Sequence, residues 1–161
     1  MISRQQMWNL VAGGVVVCGV AAAAVISGNG PAAQAGEKAA AAPAPVEPDM
    51  HEFMEYVFEP PYKRLKAAMA SEPADRRGWK PVKAEGLALA ESANLLLFRA
   101  PEEGGDDWKK FSIAVRNSGS ELYKAARATD FEAATKHYRA MLVQCNACHT
   151  QFAGGEHQLK P

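Results

Sequence analysis

The chain has 161 residues, 48% of them hydrophobic and 22% charged, which suits one globular domain with a real core. Its 18 basic and 18 acidic side chains cancel. A phosphate-binding surface needs clustered surplus Lys and Arg, so nucleic acid is not an expected partner.

Residues 1–35 carry one charged side chain, Arg4, ahead of an apolar run from Trp8 to Ile26. Ala33-Gln34-Ala35 follows a more polar stretch and supplies a small-residue cleavage site. This pattern reads as a secretory signal peptide cut after Ala35, with an uncleaved N-terminal membrane anchor as the alternative. Cys18 lies inside the run, preceded by Val17 rather than a small residue, which argues against a lipid anchor. Only Cys145 and Cys148 then remain in the mature chain, and the location is periplasmic or otherwise extracytoplasmic. Residues 36–48, GEKAAAAPAPVEP, read as an Ala/Pro-rich linker. The domain follows over residues 49–156, with 157–161 as a C-terminal tail.

From Asp49 onward apolar residues recur at helical spacing. The first stripe is Met50, Met54, Val57, Pro61, Leu65 and Ala68, widened by Phe53 and Met69. Pro60-Pro61 predicts a kink or break near Phe58–Glu59, because a proline loses a backbone donor and crowds the preceding turn. Trp79-Lys80-Pro81 opens a second helix with Val82, Leu87, Ala90, Ala93 or Asn94, Leu97 and Phe98 on its apolar face. Ala100-Pro101 and Gly104-Gly105 end it, and Asp106 is placed to cap a third helix carrying Trp108, Phe111, Val115, Gly119, Leu122 and Ala126. Thr129-Asp130-Phe131-Glu132 fits a capping box with Thr129 as the cap. The fourth helix reads Phe131, Ala134, Tyr138, Met141, Cys145, Cys148 and Phe152, until Gly154-Gly155 stops it. Four amphipathic helices with short connections give an all-α fold, an antiparallel up-down-up-down four-helix bundle.

Within the last stripe stands Cys145-Asn146-Ala147-Cys148-His149. On a helix the two cysteines lie about 60° apart and His149 about 40° from Cys145, so all three project toward one face. That arrangement suits covalent attachment of haem c, two thioethers holding the porphyrin edge and the imidazole reaching iron. The other uses of a CxxC pair fit less well. A redox dithiol is activated at a helix N-terminus, whereas these cysteines lie near a C-terminus. Structural zinc needs a second ligand cluster, and a disulfide between cysteines three apart on a helix is poor geometry.

A helical bundle with its CxxCH on the last helix resembles the cytochrome c′ family, the class II c-type cytochromes, over residues 49–156. Phe152 stands where that family often has an aromatic residue. The resemblance implies one covalent haem held by Cys145 and Cys148, with His149 as the proximal ligand. Family members differ on the opposite side of the iron, some leaving it open for nitric oxide or carbon monoxide and others placing a first-helix methionine there. Met54 looks like that position, with Met50 and His51 as the alternatives. A thioether ligand favours reduced iron and suits an electron carrier, although methionine also serves as ordinary core filling. No arginine stands one turn before Met54, where the family usually has one, and Pro60-Pro61 is a further departure. Lys63, Arg64 and Arg139 are candidate partners for haem propionates or simply solvated cations. His51 is expected to face solvent, His137 to point away from the motif and His157 to belong to the tail.

The expected function is therefore single-electron transfer between redox partner proteins, by a protein that is not itself an enzyme. A five-coordinate gas-binding protein and a haem-free thiol module are the competing readings. The resemblance also allows a homodimer, and any membrane association would run through an uncleaved N-terminal segment.

Overall fold

Pro60 and Pro61 do not break the first helix. The computed structural model describes residues 44–161, and in it the helix begins at α1 (Met50–Phe53), where Asp49 Oδ1 accepts from the Glu52 amide at 2.9 Å. A π-helical turn, Met54–Phe58, then leads without interruption into α2 (Glu59–Ala68). In that turn the Glu59 amide donates to the Met54 carbonyl, one residue further back than in an α-helix. The wider turn carries the prolines into the first turn of α2, where a missing N–H costs little. The inserted residue also rotates the buried face. Phe53, Pro61, Leu65 and Met69 are buried, while Met54 and Val57, expected at the centre of the stripe, are half-buried.

The second helix, α3 (Trp79–Leu96), ends in a 3₁₀ turn at Leu97–Arg99. Its inward line is Val82, Gly86, Leu89, Ala90, Ala93 and Leu96. Leu87 and Phe98 instead face outward, because the packing line follows small residues that let α4 approach. The third helix, α4 (Gly105–Ala128), is entered through Gly104 at φ +74°, with Asp106 and Asp107 inside its first turn rather than at the cap. Gly119 meets α3 so closely that a Cβ there would lie 3.0 Å from Ala90 Cβ and 3.2 Å from Ala90 Cα.

Between α4 and α5 (Phe131–Phe152) stand only Thr129 and Asp130. Thr129 closes α4 in a left-handed conformation, φ +57°, so it is not available as the next N-cap. That role falls to Asp130, whose Oδ1 accepts from the Ala133 amide at 2.9 Å. The expected capping box is thus displaced by one residue. Phe131, Ala134, Tyr138, Met141, Cys145, Cys148 and Phe152 are all buried or half-buried, as the periodicity predicts.

The described residues are all-α, four helices packed on their neighbours: α2 on α3, α3 on α4 and α4 on α5. The first and last helices stay further apart, with no Cα of α1, the π turn or α2 within 8 Å of one in α5 among the described residues. Side chains fill that seam, Phe58, Tyr62 and Leu65 with Tyr138, Cys145 and Leu159 in one cluster. Phe53, Met50, Met54 and Val57 join Cys148 and Phe152 in the other. No described helix is long and apolar enough to cross a membrane. The expected export segment, residues 1–35, and the linker up to residue 43 lie outside the described residues.

Candidate functional site

The α5 stripe carries the two cysteines to the seam, one to each apolar cluster. Cys145 packs with Tyr138 and Met141, and Cys148 with Phe53, Leu96 and Trp108, with Met50 and Met54 alongside. Both are half-buried free thiols. Burial penalises their anions and raises the Cys145 thiol to about 12 and the Cys148 thiol to about 11. For Cys145 the neighbouring Cys148 adds to the effect. These are not the depressed thiols of a dithiol exchange site.

His149 is oriented by the chain that follows it. Gly154 and Gly155, at φ +62° and +82°, turn the backbone out of α5, and the Gly155 amide donates to the His149 carbonyl at 3.0 Å. His149 Nδ1 then lies 2.9 Å from the His157 carbonyl oxygen. A carbonyl can only accept, so Nδ1 carries the proton and donates. In neutral imidazole that leaves the lone pair on Nε2, the tautomer that ligation through Nε2 requires.

Across the seam, Met54 opens the π turn and shares the Cys148 cluster with Met50, Phe53, Val57 and Phe58. Trp108 stiffens the wall of that cluster, its Nε1–H donating to the Leu96 carbonyl at 2.7 Å and its ring meeting Phe152 edge-on at 5.1 Å. No family model, curated protein or solved structure matches the chain. The chemistry is therefore argued from these residues.

His51 is exposed, 3.7 Å from Glu55 and with its ring 6.1 Å from that of His157. Arg64 makes a two-pronged ion pair with Glu85 at 2.8 Å for each bond, and Lys63 pairs with Glu59 at 2.8 Å. Both cations are occupied on the outer face. Arg99, a cation that sequence reasoning missed, lies beside the methionine cluster. Its guanidinium lies 3.7 Å above the Phe53 ring while donating to the Glu47 carbonyl at 2.6 Å.

Asn146 was missed as well, although it stands inside CxxCH. Its side-chain amide donates to the Leu159 carbonyl at 2.9 Å and accepts from the Leu159 amide at 2.7 Å. Residues 157–161 thus run back along the seam, and Leu159 is half-buried against the larger cluster. The available signal was Leu159 itself, an apolar residue in an otherwise polar terminus.

Proposed function

We propose that this protein is an exported monohaem c-type cytochrome of the cytochrome c′ kind, an antiparallel up-down-up-down four-helix bundle that passes single electrons between redox partner proteins. The carrying observation is the constellation at the seam. Cys148 shares an apolar cluster with Met50 and Met54, and the adjacent His149 is held with Nε2 free for a metal. The bundle topology is supported by the two-residue connection between α4 and α5, helices that nevertheless pack on each other.

The donor set fits a covalently held haem c. Cys145 and Cys148 would carry the thioethers, His149 the proximal bond and Met54 the sixth ligand. When bound, haem supplies one-electron Fe(III)/Fe(II) chemistry. The protein's own residues attach it, orient the imidazole and keep water away. Phe53, Leu96, Trp108 and Phe152 provide the dry wall that favours the less charged reduced state. Arg99 is the cation best placed to meet a propionate, since it already lies over Phe53 at the edge of that wall.

One observation favours a second reading. Met54 begins a π turn, and such a turn can revert to α-helical register, withdrawing a ligand and opening the site to a small gas such as NO or CO. Optical spectroscopy separates the two readings once the full chain is matured with haem-ligation machinery. A low-spin spectrum with a Met–iron charge-transfer band that disappears in Met54→Ala supports the electron carrier. A high-spin spectrum indifferent to Met54→Ala, with ready CO binding to the reduced form, supports the gas-binding protein. Absence of covalent haem sinks both.

A further inference from the structure

We infer that the C-terminal strap, His157–Pro161, is the positioning element for His149, locked onto the CxxCH motif through Asn146. The inference rests on the haem reading above and concerns what holds the proximal ligand.

Three anchors define the strap. At its near end the His157 carbonyl accepts the His149 Nδ1 proton at 2.9 Å. In its middle, Leu159 offers its amide and carbonyl to the side-chain amide of Asn146, at 2.7 and 2.9 Å, as a paired strand would. This two-way pairing sets the orientation of the Asn146 amide, because the reversed group would face donor with donor. At its far end the Lys160 backbone exchanges bonds with Tyr62, whose hydroxyl donates to the Lys160 carbonyl at 2.8 Å and accepts from the Lys160 amide at 3.1 Å. Lys66 Nζ adds a bond to the same carbonyl at 3.0 Å. Leu159 is pressed into the core cluster that includes Cys145, so the middle anchor is apolar as well as polar.

The strap therefore joins the motif on α5 to α2 across a seam where the two helix backbones stay apart. Asn146 occupies a position the attachment chemistry leaves free, since only the cysteines and the histidine bond to the cofactor. Its polar pairing with a segment 13 residues away supplies a reason for asparagine there. His157 holds φ +57°, a strained conformation for a residue with a Cβ, which aims its carbonyl at the imidazole. A backbone acceptor on Nδ1 holds both ring orientation and tautomer and makes the imidazole a stronger donor to iron.

The test uses the haem-loaded full chain and reads the exchange of the His149 Nδ1 proton with deuterium, followed as a hyperfine-shifted resonance in the proton NMR spectrum of the oxidised protein. Asn146→Ala releases the middle anchor by removing both bonds to Leu159 and is expected to speed exchange about tenfold or more. The reduction potential should rise in the same variant, because a less electron-rich imidazole stabilises ferric iron less. Truncation after Glu156 removes the acceptor and should speed exchange at least as much. His157→Gly keeps the carbonyl, suits the positive φ and should leave exchange slow. Should Asn146→Ala fail to accumulate, Tyr62→Phe cuts the far anchor and carries the same expectation. Unchanged exchange in the anchor variants, or fast exchange in His157→Gly, overturns the strap while covalent haem leaves the cytochrome reading standing. A wild-type chain that takes up no haem overturns that reading, and the strap's role with it.

Discussion

Where α3 meets α4, Gly119 brings the backbones so close that the Cβ of Ala90 fills the space its own would take. Where α2 faces α5, no pair of Cα atoms comes within 8 Å, and Tyr62, Phe58, Tyr138 and Leu159 fill the interval. At the first crossing the small residues Gly119 and Ala90 leave no room for a larger side chain. The second is made of large side chains and the returning C-terminal segment. One all-α fold thus combines a close helix contact, α3 on α4, with a seam that carries the thiols and the methionines.

The largest difference should appear in the thiols. With Cys145 raised to about 12 and Cys148 to about 11 from an ordinary 9, the seam holds both protonated far above neutral pH. At pH 7 that is roughly a thousandfold and a hundredfold less thiolate than an ordinary cysteine, and alkylation of the folded, haem-free chain should slow to match. The sign for stability follows. The unfolded chain releases these protons near pH 9 and the folded chain only near 11 to 12, so their contribution is complete below pH 9 and is lost as pH rises through that window. Urea midpoints measured from pH 8 to 11 should fall, and the Cys145→Ala, Cys148→Ala double variant should flatten the decline. Alkylation as fast as in the unfolded chain would mean that the seam is open.

Next in size, Gly119→Leu should cost ~3 kcal/mol in urea denaturation, because the atoms it meets include Ala90 backbone that cannot swing aside. Met54→Leu, a swap of similar volume in the seam, should cost under ~1.5 kcal/mol. Equal costs would abolish the distinction between the close contact and the seam. Smaller again is Asp130→Ala, expected to cost ~1 kcal/mol by removing the cap that accepts from the Ala133 amide. Thr129→Ala should cost less, since the Thr129 hydroxyl bonds only to the Ala128 carbonyl. The reverse order would restore Thr129 as the cap.

Legibility in the sequence followed the strength of local rules. The α5 stripe was readable because seven residues at steps of three and four all had to face inward, and Cys145, Cys148 and His149 lie on or beside that line. The α5 N-cap was misplaced because Thr129 and Asp130 are both good caps, and the choice depended on Thr129 being consumed by the left-handed end of α4. Leu87 and Leu89 are equally apolar, but the close approach to α4 selects Leu89 for burial. At Pro60-Pro61 the sequence called for a disturbance, which a single π turn absorbs.

By itself the sequence determined the helical class, the position of the CxxCH motif and the face on which its thiols lie. Those follow from backbone periodicity, which acts over a few residues. Only the tertiary structure decided that Arg99 lies on Phe53, that the last five residues return to bind Asn146 and Tyr62, and that His149 keeps Nε2 free. Such contacts join residues from 8 to 98 positions apart. They depend on where whole helices come to rest once their apolar faces are buried, which no local pattern encodes.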